Sequence, residues 1–123
     1  MPASPALLLP RARRVKQGRD FARLKSQGRR LTRGCLIANW LEVVAGRPSR
    51  IGVITTKKIG NAVVRSRARR LLREAFRLHQ LELKQPLDVV LVARFSIVGK
   101  KLAEVEADYL AVLRQARLLR ELA

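Results

Sequence analysis

The sequence holds one cysteine, Cys35, and one histidine, His79. Two such residues cannot close a structural zinc site, which takes four Cys or His ligands. One thiol makes no internal disulfide, so a reducing compartment fits and a staple-dense secreted fold does not. No apolar run approaches the roughly 20 residues that cross a bilayer. The triplet Leu7, Leu8, Leu9 is too short for a signal-peptide core, and no basic residue precedes it. Acidic residues are scarce as well: 9 Asp+Glu stand against 27 Lys+Arg, a net charge of +18 in 123 residues. Charge of one sign at this density opposes compaction unless a polyanion neutralises it. Nucleic acid and anionic membrane are the candidate polyanions; with insertion excluded, nucleic acid leads. Hydrophobic residues nevertheless make up 48% of the chain, which separates it from a disordered basic tail and suffices for one core.

The charge is unevenly spread. Residues 1–50 carry net +10, residues 57–77 net +7, and residues 78–123 only +1. The front is basic and the last third reads as scaffold. Twenty of the cations are Arg, whose planar fork suits phosphate binding and base stacking better than Lys does.

Residues 1–14, with three prolines in the first ten, read as a flexible basic leader. A single domain is expected over 15–119, with a short tail at 120–123. A short helix is expected at 17–27, closed by Gly28, with Phe21 and Leu24 on one face. Extended structure follows at 31–44, broken near Gly34, then a turn at 46–48 and a strand at 50–56 rich in β-branched residues. A long helix spans 61–80, capped by Asn61. The apolar run LDVVLVA at 87–93 fits a strand buried on both faces and parallel to a neighbour. A last helix is expected at 102–119. This order makes an α+β sandwich, with helices packed on the sheet.

On the 61–80 helix, Val64, Ala68, Leu71, Leu72, Ala75, Leu78 and His79 fall in one apolar arc. Arg65, Arg69 and Arg73 form a stripe at i, i+4, i+8 on the other side, flanked by Arg70 and Arg77, with Arg67 at its far edge. Like charges at this spacing cost a few tenths of a kcal/mol each, and only Glu74 offsets six arginines. Such a stripe is stable against phosphates.

Residues 57–76 read KKIGNAVVRSRARRLLREAF, and this run strongly resembles the protein subunit of bacterial ribonuclease P. That family's signature passes from Lys-Lys-x-Gly-Asn-Ala-Val into a helix beginning Arg-Asn-Arg. The resemblance extends to Asp20-Phe21, to the strand at 50–56 and to Ala93-Arg94, covering most of residues 11–113. Two positions depart from the pattern: Ser66 replaces the central Asn of Arg-Asn-Arg, and Asn39 stands where the family carries an aromatic on the sheet. The resemblance implies an αβββαβα fold on a small mixed sheet, with a left-handed βαβ crossover lined by residues 57–70. It also implies a cytoplasmic bacterial protein that helps a catalytic RNA remove the 5′ leader from precursor tRNA. In such an enzyme Mg²⁺ is held mainly by the RNA subunit, and neither a protein-bound cofactor nor an obligate protein partner is expected.

By the same resemblance the RNA subunit would meet Lys57, Lys58, Asn61, Arg65, Ser66, Arg67, Arg69, Arg70 and Arg73. The leader would lie on Phe21, Ile37, Asn39 and Ile54. Each has a plainer reading beside it. Phe21 can stack on a base or anchor the core. Ile37, Leu41 and Ile54 can floor a cleft or be plain core, and Asn61 can cap the helix, bind phosphate or do both. Trp40, out of phase with Asn39, is expected beneath a helix. Cys35 and His79 lack a third group for nucleophilic catalysis and read as a buried thiol and a core-edge imidazole. Glu104 and Asp108, at i, i+4, read as first-turn acids of the last helix rather than a metal pair. No catalytic residue is expected in the polypeptide. A ribosomal or tRNA-binding structural protein would share this charge and size, and only the 57–77 motif separates it from the ribonuclease P reading. A self-sufficient nuclease is the weak alternative, because the basic helix carries no convergent carboxylates or general-base His.

Overall fold

Alternation of apolar and polar side chains sets the frame. The computed structural model describes residues 13–15 and 18–120. In order these form α1 (Gly18–Gln27), β1 (Arg29–Arg33), β2 (Leu36–Glu42), β3 (Arg50–Ile54), α2 (Ala62–His79), β4 (Leu87–Ala93) and α3 (Leu102–Gln115). The strands make one mixed sheet in the order β1-β2-β4-β3, with β3 and β4 parallel and the other pairs antiparallel. α2 is thus the crossover between two parallel neighbours. The αβββαβα order, the α+β class and the parallel pairing of residues 87–93 all stand as expected. β4 is the interior strand between β2 and β3, and six of its seven residues are buried.

The larger core lies on one face. Leu36, Ala38 and Trp40 from β2 join Val89, Leu91 and Ala93 from β4, against Leu72, Ala75 and Phe76 of α2 and Val105, Tyr109 and Leu113 of α3. Trp40 is therefore under helices, as its phase requires. Phe76 is fully buried although it lies outside the arc read from the sequence. The reason is that α2 packs on both the sheet and α3, so its buried sector is wider than one contact would need. Burying a Leu or Phe of this kind stabilises the fold by about 1.5–3 kcal/mol.

The opposite face carries α1 and the segment at Val15. Leu24 is buried against Val15 and Val90, with Phe21, Leu41 and Val92 beside them. Two carboxylates fix the helix and the hairpin on either side of the sheet. Asp88, on β4, holds Arg50 and Arg23 beneath α1. Asp108, on α3, accepts the Cys35 N–H at 2.9 Å. Its carboxylate fills the space a Cβ at Gly34 would need, and Gly34 turns the β1–β2 hairpin at φ +53°.

Some expected boundaries shift. α3 ends at Gln115 rather than 119, because Arg117 turns at φ +58° and the Leu118 N–H folds back onto the Leu113 carbonyl at 2.9 Å. Leu119 then bridges Leu83. The strand expected at 50–56 ends at Ile54. Asp108 lies in the second turn of α3, and its role is the hairpin contact; Glu104 alone caps the first turn, accepting the Lys101 N–H at 3.1 Å. The leader expected at 1–14 lies outside the described residues except for Arg13 and Arg14, and Arg14 forms a parallel bridge with Ile51. Of the expected tail, 121–123 lie outside them too.

Candidate nucleic-acid interface

The first surface is built on α2. Lys57 and Lys58 are exposed on a 3-10 turn, Lys57–Ile59, that leads to Gly60 at φ +149°. A Cβ at Gly60 would meet Val64 at 3.1 Å, so the backbone turns sharply into the helix. Asn61 then caps it, its Oδ1 accepting the Val64 N–H at 3.0 Å. The cap uses the side-chain oxygen and leaves the amide NH₂ outward on an exposed residue.

One and two turns on, the arginines are organised rather than splayed. Arg69 donates from Nη1 to Thr55 Oγ1 at 2.7 Å and from Nη2 to Ser66 Oγ at 3.1 Å. Ser66, where the signature has Asn, thus accepts from Arg69 and keeps its own O–H to donate. Arg69, Arg70 and Arg73 line a groove of about 440 Å³ with Ser66, Glu74, Arg77 and Arg14. Arg77 pairs with Glu74. Burial lowers the pKa of Arg73, and the neighbouring charges of Arg14 and Arg69 push it the same way. A cation opposed in this manner by its neighbours marks a site that favours an anion.

The expected residues do not all converge. Arg65 is half-buried one turn nearer the helix start and does not line the groove. Arg67 points elsewhere, lining a separate apolar hollow with Val64, Ala68, Ile97, Val98 and Gly99. Arg14 is the residue that sequence reasoning missed, because it fell in the stretch assigned to a leader.

The second surface lies on the sheet face under α1. Register places Ile37, Val92 and Ile54 in one row across β2, β4 and β3, and Asn39, Val90 and Gly52 in the next. The Phe21 ring lies over Gly52, where a Cβ would meet ring carbons at 3.1 and 3.2 Å. Ile37 is half-buried and Ile54 is exposed, so the row beyond Phe21 is an open apolar floor and not closed core. Asn39 donates from Nδ2 to the Arg29 carbonyl at 2.8 Å, and Arg30 faces it from β1. Phe21, Ile37, Asn39 and Ile54 therefore share one face, with Val90 and Val92 as unforeseen members. The two valines were legible in principle from alternation along 87–93. Gly52 carried a signal as well, since glycine inside a β-branched strand marks close approach.

The remaining reactive groups are structural. Cys35 is buried, and burial with the nearby Asp108 carboxylate pushes its pKa up to about 12. His79 bonds Glu106 through Nε2 at 2.8 Å and Glu82 through Nδ1, so it is the centre of an ion-paired cluster rather than a plain core-edge ring. Among the described residues no three His, Cys, Asp or Glu side chains are grouped to hold a metal, and no helix is long and apolar enough to cross a membrane.

Comparison with known proteins extends this geometry. A family model described as Ribonuclease P matches residues 9–117. The ribonuclease P protein component of Gluconacetobacter diazotrophicus is 40% identical over 109 residues, spanning 86% of this chain and 92% of that protein. That of Syntrophomonas wolfei is 36% identical over 111 residues, spanning 90% and 92%. Among solved structures, the RNase P protein of Staphylococcus aureus superposes with a TM-score of 0.77 at 24% identity, over 89% of this chain and all of that one. The RNase P protein of Thermotoga maritima gives 0.72 at 23% identity, over 83% and 96%. The fold is the same.

Proposed function

The chain belongs to the ribonuclease P protein family, and from that premise we propose that it is the RNA-binding subunit of a tRNA-processing ribonucleoprotein. In this reading it binds a catalytic RNA through α2 and the 5′ leader of precursor tRNA through the face under α1. Hydrolysis belongs to the RNA subunit and the Mg²⁺ it holds, in the bacterial cytoplasm, and the polypeptide supplies binding and positioning only.

The observation that carries the proposal is the physical separation of two chemically different surfaces. One is a groove of like-charged arginines braced by Thr55 and Ser66. It suits the backbone of a large folded RNA, because forked guanidinium groups read phosphate without reading sequence. The other is an apolar floor with an aromatic ring at its edge. It suits unpaired nucleotides, whose bases stack tolerantly of sequence. A leader is single-stranded, and a structured RNA presents phosphates; the two surfaces match the two RNAs.

A filter-binding matrix tests it, with wild type, the Arg65/Arg69/Arg73→Ala triple variant and Phe21→Ala. Each is assembled with ribonuclease P RNA and offered precursor or mature tRNA. The triple variant should weaken assembly for every substrate alike. Phe21→Ala should assemble normally and weaken precursor binding by about 1–3 kcal/mol, the worth of one stacked base, with mature tRNA unaffected. Protein alone should cleave nothing. Mg²⁺-dependent cleavage by RNA-free protein would overturn the division of labour.

A further inference from the structure

A second cationic hollow lies beyond the C-terminal end of α2, apart from both the arginine groove and the face under α1. Its volume is about 270 Å³. Arg13, Arg47, Lys84 and Arg120 line it, and among the described residues no Asp or Glu does. These four come from four separate parts of the chain: the segment before α1, the β2–β3 turn, the link between α2 and β4, and the stretch after α3. None is ion-paired with a carboxylate among the described residues. Two of them come from the part of the sequence that is nearly neutral overall and reads as scaffold. Folding concentrates charge here that sequence order disperses.

The walls are fixed by hydrogen bonds. The Leu87 N–H donates to Ser49 Oγ at 3.0 Å, the Val43 N–H to the Pro86 carbonyl at 3.1 Å, and the Lys84 N–H to the Leu118 carbonyl at 2.9 Å. Arg120 is tied through its backbone N–H to the Glu82 carbonyl at 2.7 Å and through Nε to the Leu83 carbonyl at 3.3 Å. Arg47 and Lys84 stay exposed at the rim. A concavity whose walls are held by hydrogen bonds, with exposed cations at its mouth, suits phosphate oxygens, because little backbone order is lost when they bind.

Consecutive residues of the chain join the hollow to the α2 groove. Arg14 lines the groove and Arg13 the hollow, and these adjacent residues run beside β3, where Val15 donates its N–H to the Ile51 carbonyl at 2.8 Å. From Ser66 in the groove to Gln80 in the hollow the helix advances about 21 Å at 1.5 Å per residue. We infer that the hollow is a phosphodiester-binding site which prolongs the α2 groove around the end of the helix, so that one RNA backbone is held at both.

This inference rests on the ribonuclease P reading, and the test separates the two. Affinity for ribonuclease P RNA is measured across a salt series for wild type and three variants. These are Arg47→Gln/Lys84→Gln in the hollow, Lys101→Gln/Arg114→Gln at the exposed N-cap and in the last turn of α3, and the α2 triple arginine variant. The hollow pair should make log K against log salt shallower by roughly 0.9 for each phosphate no longer neutralised, extrapolating from duplex DNA, and the α3 pair should leave it unchanged. A hollow pair that matches the α3 pair, while the α2 triple weakens binding, overturns the inference alone. An α2 triple without effect overturns the underlying reading. A second measurement uses the unmodified sequence: Lys84 should be protected from acylation in the RNA complex while Lys101 is not, and equal labelling of both counts against the site. Titration with inorganic phosphate completes the test. Phosphate binding at the hollow with an unchanged RNA salt slope would assign it to a small free anion and overturn the RNA contact.

Discussion

Asp88 receives Arg50 through both carboxylate oxygens, Nε to Oδ1 at 2.9 Å and Nη2 to Oδ2 at 2.7 Å. The carboxylate is buried in the interior strand, and Arg23 of α1 reaches it at 3.1 Å. Arg50 in turn extends Nη1 to Asp20, also on α1, at 3.4 Å. The bond to Asp88 raises the Arg50 pKa above its ordinary value, against the opposing effect of burial. One side chain on the sheet therefore fixes the angle of the helix that carries Phe21.

Asp88→Asn should expose the weakness of that arrangement. It leaves Arg50 facing a neutral amide, and removing one partner of a buried pair costs about 3–5 kcal/mol. Because Arg50 remains partly exposed, the lower end of that range is expected. Urea unfolding at neutral pH would measure it. Arg23→Ala should cost much less, since its side chain is 41% exposed and such pairs contribute about 0–1 kcal/mol. Equal losses for the two variants would mean that α1 is held by packing and not by this network.

Gly52→Ala places a methyl group 3.1 Å from the Phe21 ring and 3.2 Å from Val15 Cβ. The ring must give way, and overpacking of this kind costs typically about 1–3 kcal/mol. If the face under α1 binds the leader, the variant should lose affinity for precursor tRNA and retain it for mature tRNA. Equilibrium binding of both tRNAs to the assembled enzyme, with a thermal melt of the free protein, would check the two effects separately.

Much of this was legible in the sequence, for identifiable reasons. Asn61, Gly60 and the 3.6-residue period fixed α2 locally, and the alternation of residues 36–42 placed Ile37 and Asn39 on the face opposite Trp40. What was not legible is long-range. Nothing near Arg13 or Arg14 shows that the chain runs beside Ile51, so their recruitment to the basic surfaces depends on a pairing across more than 35 residues. Arg67 sits at the edge of the helical stripe, and only the packing of residues 97–99 shows that it faces another hollow. His79 fell within the apolar arc, yet its partners come from the turn after α2 and from α3.

The crowded α2 groove should make the free protein respond to anions. Burial and the charges of Arg14 and Arg69 all lower the Arg73 pKa, and an anion bound only by the folded state relieves that repulsion. At 100 times its Kd such a ligand stabilises by about 2.7 kcal/mol. Sulfate should therefore raise the melting temperature above chloride at equal ionic strength. Sulfate also acts generally through exclusion from protein surface, so the comparison is with Arg69→Gln/Arg73→Gln. That variant should keep the general effect and lose the excess; an unchanged excess would place the anion elsewhere.

His79 gives the stability a pH dependence of definite sign. Burial opposes its charge, but the bonds to Glu106 and Glu82 outweigh burial, so its pKa lies above the ordinary value. A raised folded pKa means that folding takes up a proton. The contribution is complete below the unfolded pKa of about 6.5 and is lost as pH rises through the folded pKa. At its steepest a single group changes stability by about 1.4 kcal/mol per pH unit. Urea midpoints should therefore fall as pH rises from about 6.5 through that raised pKa. His79→Gln, which cannot titrate, should be flat across the same window and less stable than wild type at pH 6. Because Glu82 follows α2 and Glu106 lies on α3, the loss should be accompanied by faster amide exchange in residues 80–84, where the chain leaves the helix. A wild-type midpoint that rose with pH would mean that burial of the ring, and not its two carboxylates, governs its charge.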